Sequence, residues 1–294
     1  MTQAVFVGLS TIDIVYGVDK FPAANTKVSA RSQEVFVGGP ATNASIAFAH
    51  LGGKASLVTA AGRHPLATMV RDELQTRSIR LIDLNPKFDE VPVISSVAVD
   101  LKGQRNVVSA NASRVPTPSA EVDQNLCRQA RVVMVDGHYM EACRAWAQAA
   151  TANQVLVVFD GGSWKEGAAE LLKSVHTAIC SADFLPPGCK SRTDVIEFLK
   201  TSGVTSIAIT DGADPIQFSS GATSGTLRVP AVDVVDTMGA GDVFHGAYCY
   251  FASIGRGFVE ALAEAAAIAS ESCRFAGPRE WMNSVSAGSS AQPA

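Results

Sequence analysis

The chain has 294 residues, of which 47% are hydrophobic and 18% charged, and a formal net charge of −4. That length can bury a sizeable α/β core, and that balance excludes an intrinsically disordered chain. The mildly acidic charge gives no footing for nucleic acid or an anionic membrane, and no run of about 18 apolar residues offers a bilayer span.

The start, Met1-Thr2-Gln3, has no basic segment of the signal-peptide kind and runs straight into strand-like sequence. Residues 5–9 form the first expected strand, and Asp13 follows it directly. A carboxylate there can accept hydrogen bonds from two adjacent hydroxyls, and a plain loop aspartate is the alternative. Residues 26–37 and 91–109 are β-branched and semi-alternating, the second with the turn Asp100-Leu101-Lys102-Gly103. They predict an antiparallel flap able to exclude water from a reaction or to form a dimer contact. Between them, Gly38-Gly39-Pro40-Ala41-Thr42-Asn43 leads into an apolar helix over 44–51 that Gly52-Gly53 closes. Proline just inside a helix and glycine just past it is the expected asymmetry.

Apolar runs at 55–60, 132–135, 155–159, 178–180 and 207–210 predict strands, separated by helical stretches such as 141–150, 166–175 and 193–201. Strands with so few polar alternations belong in a parallel sheet covered on both faces. Three of them run into Asp136-Gly137, Asp160-Gly161-Gly162 and Asp211-Gly212. Each is either a simple turn or part of a cleft at the carboxyl ends of the strands. Near the end, Asp236-Thr237-Met238-Gly239-Ala240-Gly241-Asp242 joins a small-residue turn to a helix over about 243–253. Backbone N–H groups at such a helix start can hold an anion, while the adjacent carboxylate takes a proton from an alcohol. The P-loop pattern is absent, and Phe244 stands where a dinucleotide fingerprint needs its third glycine. Cys127, Cys143, Cys180, Cys189, Cys249 and Cys273 include no C-x-x-C pair, which predicts reduced thiols in a cytoplasmic protein. Residues 284–294 are Ser/Ala/Gly/Pro-rich and expected to fray, and no linker divides the chain.

The two motifs together, Gly38-Gly39 with Asn43 and Asp236-Thr237 with Gly239-Ala240-Gly241-Asp242, resemble the PfkB, or ribokinase-like, carbohydrate kinase family over about residues 5–277. The spelling of both motifs, through Val243-Phe244-His245-Gly246, is most similar to its ketohexokinase and sulfofructose kinase branch. The resemblance implies an α/β three-layer sandwich with a mostly parallel central sheet, one kinase domain over residues 1–283 and a β lid from about 14–37 and 91–110. It implies ATP-dependent phosphorylation of a hydroxymethyl group on a small, ketohexose-like sugar, with Mg²⁺ and, in some members, K⁺. It further implies a homodimer formed through the lid. Carried over residue by residue, Asp242 is the base, and the turn Gly239 to Gly241 supplies the anion hole through the N–H groups of Ala240 and Gly241. Asp13, Gly38, Gly39 and Asn43 are sugar-binding, with Lys27, Arg105 and His138 as further substrate contacts. Asp236, Thr237, Thr210 and Gly212 lie by the nucleotide, with Asp236 also near the monovalent-cation site of some members.

Two departures bear on this reading. Ser181-Ala182-Asp183-Phe184 stands where many members carry an N-x-x-E motif that organises Mg²⁺, leaving Asp183 or Asp236 as metal candidates. The segment Thr210-Asp211-Gly212-Ala213-Asp214-Pro215 lacks a second glycine common in the family. Lys27 and His138 either read an anionic end of the sugar or are a solvent-facing lysine and a satisfied histidine. Two other functions stay open. One is a nucleoside kinase, for whose base Phe36 and Phe88 are the nearest aromatic candidates. The other is a catalytically weak binding relative.

Overall fold

The computed structural model describes residues 1–116 and 121–284. Of the tail expected to fray, only Ser284 falls within them, where it follows a short turn of 3-10 helix (Glu280–Asn283); residues 285–294 lie outside.

The chain begins with β1 (Gln3–Val7) and then forms β2 (Thr11–Gly17) and β3 (Ser32–Gly38). Helix α1 (Pro40–His50), β4 (Lys54–Thr59), α2 (Ala67–Thr76) and β5 (Arg80–Asp83) follow, and then β6 (Ile94–Val99) and β7 (Arg105–Ser109). Strands and helices alternate through α3 (Gln124–Gln129), β8 (Val132–Val135), α4 (Met140–Ala152), β9 (Leu156–Gly161), α5 (Ala168–Leu172), β10 (Thr177–Ser181), α6 (Arg192–Thr201) and β11 (Ser206–Asp211). A hairpin of β12 (Asp214–Ser220) and β13 (Thr223–Leu227) precedes the last long helices, α7 (Ala240–Ser253) and α8 (Phe258–Ser272).

Nine strands form the main sheet in the order β13-β12-β11-β10-β9-β8-β1-β4-β5, parallel from β11 to β5 with the hairpin at one edge. The apolar character of its strands follows from burial on both faces. In β1, Ala4 and Phe6 join the core under α1, α2, α7 and α8, while Val5 and Val7 join the core under α3 to α6. This is the expected ribokinase-like α/β sandwich. β1 lies between β4 and β8, so the strand order reverses there and a crevice opens at the carboxyl ends.

The small sheet, β3-β2-β6-β7, pairs β2 with β6 in parallel and its other neighbours antiparallel. It differs from the sequence expectation in two ways. β2 begins at Thr11, so Asp13 sits on a strand rather than in a loop after β1. Strand pairing of β3 begins only at Ser32, because the stretch before it is highly exposed and includes Asn25 at a left-handed φ of 58°. The first strand was expected to reach residue 9. It stops at Val7 because the Leu9 N–H leaves the sheet to donate to buried Asp136 at 2.8 Å.

Helices α1 and α7 cross at unusually close range. A Cβ at Gly246 would lie 2.3 Å from Ala44 O and 2.8 Å from Ala47 Cβ. Glycine at that position lets the two helix backbones meet. Gly246→Ala gains about 1 kcal/mol of helix propensity, but overpacking a tight contact costs about 1–3 kcal/mol. The backbone carbonyl cannot turn aside, so the second effect should win. The variant is expected to melt several degrees below wild type by differential scanning calorimetry. An unchanged or higher melting temperature would show that the crossing has slack.

Candidate active site

The crevice is built from backbone geometry first. At Gly38, a Cβ would come within 1.9 Å of Asp13 Oδ2, and at Gly39 within 2.3 Å of Leu9 O. Gly39 also has φ 96° and caps α1, whose first residue is Pro40. The diglycine thus makes room for the Asp13 carboxylate and lets α1 start against the end of β1. Asp136 fastens the same corner by accepting the N–H groups of Leu9, Ala41 and His138 at 2.8, 3.3 and 2.9 Å. The Asp136-Gly137 signal, open between turn and cleft in the sequence, is therefore a buried anchor between β1, β8 and α1.

Asn43, on the first turns of α1, donates from Nδ2 to Asp242 Oδ2 at 2.7 Å. Its orientation is fixed from behind. Arg279 Nη2 donates to Asn43 Oδ1 at 2.9 Å and to Val37 O at 2.7 Å, and Arg279 Nε donates to Glu73 Oε1 at 2.9 Å. Arg77 Nε holds the same Glu73 oxygen at 3.0 Å. Burial alone would raise the Glu73 pKa, yet the two guanidiniums outweigh it and hold the carboxyl below its ordinary value. The line from Glu73 through Arg279 to Asn43 was not visible in the sequence, where these are isolated polar residues with no shared motif.

Asp242 is half-buried in the first turn of α7. Burial, with the charge of Asp160 added, pushes its pKa up to about 7; the Asn43 hydrogen bond and His245 pull the other way, and Asp13 adds to the rise. Burial also raises Asp13, against the Thr11 hydroxyl that donates to Oδ1 at 2.7 Å and against Ser95 and Arg279. Gly239 caps α7 in a left-handed conformation. The Ala240 N–H, expected to help hold an anion, points back to Thr237 O at 3.3 Å. In the first turn of α7, the N–H groups of Gly241 and Asp242 have no acceptor among the described residues. A half-buried carboxylate with a pKa near neutrality beside two free N–H groups can take a proton and hold an anion at adjacent positions.

A cavity of about 480 Å³ opens in front of this turn, lined by Thr210, Gly212, Thr237, Ala240, Gly241 and His245 among others. It is large enough for a small organic ligand. Three of the four nucleotide candidates, Thr210, Gly212 and Thr237, therefore share one cavity with the glycine turn, and Asp236 is not among its lining residues. Arg105, expected among the sugar contacts, borders this cavity instead and donates from Nη2 to Thr237 Oγ1 at 2.9 Å. β7 carries it there from the small sheet.

Other candidates are placed differently. Asp236 accepts Met238 N–H and Gly277 N–H, each at 2.9 Å, so both its oxygens already staple the loop. Asp183 is exposed, and Phe184, at the position of the family's glutamate, is buried against Phe159 and Trp164. Among the described residues no group of three or more His, Cys, Asp or Glu could hold a metal ion. Lys27 is exposed between β2 and β3, with no partner among the described residues. His138 sits at the end of β8, where burial and the nearby Lys165 ammonium lower its pKa against the pull of Asp136 and Asp160. At neutral pH it is an uncharged imidazole, and the neighbouring cation is Lys165, whose stem packs over Gly137. Sequence reasoning missed Lys165, which trails the Asp160-Gly161-Gly162 signal by three residues. Phe88 is a core residue against Gly62, and Phe36 packs on Gly277.

A family model described as pfkB family carbohydrate kinase matches residues 1–284. An ATP-dependent ribose-1-phosphate kinase from Halopiger xanaduensis is 26% identical over 251 residues, 83% of this chain and 82% of that protein. A ribokinase from Lactococcus lactis is 23% identical over 264 residues, 85% of this chain and 83% of its own length. A solved structure of a putative ribokinase from Agrobacterium tumefaciens superposes with a TM-score of 0.84 at 21% identity, covering 96% of this chain and 98% of that one.

The raised pKa of Asp242 links the site to stability. The folded protein gives up this proton near pH 7, whereas an ordinary aspartate does so near 3.8. Stability therefore falls as pH rises between those values. Asp242→Asn offers an amide oxygen to Asn43 without the charge. It should melt above wild type at pH 8, and the gap should close towards pH 4. Equal melting temperatures at pH 8 would show that the crevice carries the carboxylate without penalty.

Proposed function

The chain belongs to the pfkB family of carbohydrate kinases, phosphotransferases that act on a sugar hydroxyl group, and on that premise we propose that Asp242 is its general base in transfer of the γ-phosphate of ATP to the hydroxymethyl group of a small sugar. The observation that carries this reading is the Asn43–Asp242 hydrogen bond beside the free N–H groups of α7, which puts an oriented base next to an anion site. In-line phosphoryl transfer needs positioning and charge stabilisation rather than covalent catalysis. Asp242 accepts the proton of the attacking hydroxyl. The N–H groups of Gly241 and Asp242, with the positive end of α7, take up charge on the moving phosphoryl. Arg105 approaches the same phosphates from the small sheet, which acts as a lid that keeps water from competing as acceptor.

Asp13, Gly38, Gly39 and Asn43 contact the sugar, with Asp13 accepting from its hydroxyls. Thr210, Gly212 and Thr237 flank the nucleotide. Mg²⁺ enters as part of the MgATP substrate, held by phosphate oxygens and water, as suits a cation that dehydrates reluctantly. With both Asp236 oxygens accepting backbone N–H groups, a K⁺ ion would rely on other oxygens.

The motif spelling supports a ketohexose-like acceptor of the ketohexokinase and sulfofructose kinase branch. The names of the two relatives support ribose or ribose 1-phosphate instead. An anionic far end on the sugar is favoured by one observation, the Lys165 ammonium beside uncharged His138. The exposed Val35, Val107 and Val108 of the small sheet support a homodimer formed through the lid, which light scattering tests. Cysteines that are all free, five of them with thiol pKa values raised by burial and the sixth, Cys189, partly buried with a thiol also raised, support a reducing cytoplasm.

ATP turnover with neutral ketohexoses, ribose, nucleosides and phosphorylated or sulfonated sugars tests the function directly. Asp242→Asn should lower kcat by about 10²-fold or more on the best acceptor while leaving sugar binding largely intact. The wild-type kcat/KM should fall on the acid side with a midpoint near pH 7. A flat profile, or near-full turnover in the variant, would remove Asp242 from the role of base.

The glycine at 241 separates the turn's shape from its use. A Cβ there meets nothing within 4 Å, and its open space is the cavity itself. Gly241→Val should therefore fold, with the β-branched side chain crowding the phosphates and ATP turnover suffering more than sugar binding. Unchanged turnover in the folded variant would make the turn purely structural.

A further inference from the structure

His245 lies on α7 one turn beyond the anion turn, and it is 7% exposed. Its Nδ1 is 2.7 Å from Gly241 O, and its Nε2 is 3.1 Å from Ile179 O at the end of β10. Both partners are carbonyl oxygens, which can only accept. A neutral imidazole has one N–H, so it would leave a bare nitrogen lone pair facing one of these oxygens in a buried place. Two N–H groups satisfy both. The positive charge this implies has a counter-ion at hand. Asp160 Oδ1 is 3.6 Å from Nε2, an ion pair rather than a hydrogen bond, and Asp160 is itself only 6% exposed.

We propose that His245 is a doubly protonated positioning residue of the phosphoryl-transfer site, tying Gly241 of the anion turn to β10 and placing a positive charge between Asp160 and Asp242. The brace fixes the carbonyl side of the turn, so that its N–H groups point into the cavity. The charge offsets Asp160, which otherwise drives Asp242 towards its protonated form. The groups facing this cluster come from every packed element. Asp160 comes from β9, the Cys180 thiol from β10, Asp242 and the Cys249 thiol from α7, Asn43 from α1, and Asp13 from β2. Arg279 approaches after α8, and Lys165 and His138 lie at the ends of β9 and β8. Burial keeps both thiols protonated, so Asp160 is the charge that His245 answers most directly.

The inference rests on Asp242 as the base, and two measurements separate its failure from the failure of that reading. In ¹⁵N-histidine-labelled wild type at pH 8, the His245 ring should show both nitrogens protonated. The signal is assigned by its loss in His245→Gln. Should that variant not fold, His50→Gln, His64→Gln, His138→Gln and His176→Gln assign it by elimination. One unprotonated ring nitrogen at pH 8 overturns the proposal, whatever Asp242 does. The second measurement is the acid limb of kcat/KM. His245→Gln, which keeps a donor and loses the charge, should move it up by about one pH unit or more, the size expected for a nearby opposite charge. Asp160→Asn should move it down, because a like charge is removed. A residue that only braces the fold would lower stability and kcat without these opposed shifts, and limbs that coincide with wild type also overturn the proposal.

Discussion

One hydrogen bond, from Asn43 to Asp242, joins residues 199 positions apart and sets the geometry of the crevice. It exists because α1 and α7 meet over Gly246, with helix backbones almost in contact. Everything placed by α1, including the diglycine and the Asp13 pocket, is thereby indexed to everything placed by α7. The parallel sheet supplies the platform, since both helices start at the carboxyl edge of strands next to the reversal at β1. A change in the distance between two helices is therefore a change in the angle between an acid and its partner amide.

Charge in the crevice is arranged against folding stability. Asp160 and Asp13 both press on Asp242 in a poorly solvated space, and burial raises the pKa values of Asp13 and Asp242. The compensating groups are few and specific: Asn43 on one side, His245 on another, and Arg279 behind. A solvent-filled cleft would leave Asp13 and Asp242 at ordinary values. The strain on protonation is what tunes a carboxyl group towards the pH at which it works.

Much of this was legible in the residues. Unbroken apolar runs such as Val132–Val135 could belong only to strands buried on both sides, and Pro40 and Gly52 marked the bounds of α1. Asp242 and Asn43 were legible because glycines crowd around them in fixed spacing, and glycine is what close backbone approach requires. Arg279 and Glu73 were not. They lie 206 positions apart, each is a lone charged residue in its own segment, and only the fold reveals that one guanidinium serves both Glu73 and Asn43. His138 stayed open between two readings for a related reason. Its residue type suggests charge, but desolvation beside Lys165 decides its state, and desolvation is a property of packing rather than of spelling. Asp236 was open in the sequence as a nucleotide or metal neighbour because the motif contains it, and the fold adds that its two oxygens accept the backbone N–H groups of Met238 and Gly277.

The contact between Arg105 and Thr237 has a consequence of a different kind. It spans from the small sheet to the loop ahead of α7, at the cavity mouth, and it is exposed to solvent. A single exposed hydrogen bond contributes on the order of 1 kcal/mol, which is small beside the binding energy of a nucleotide. Arg105 also lines the cavity, so a ligand there that drew on its guanidinium would do so at the expense of this contact. The same sheet carries Asp13, so any coupling through that contact would by reciprocity run equally in both directions. If sugar and nucleotide bind as proposed, a sheet edge lies between them, and apparent constants for either one then depend on the concentration of its companion.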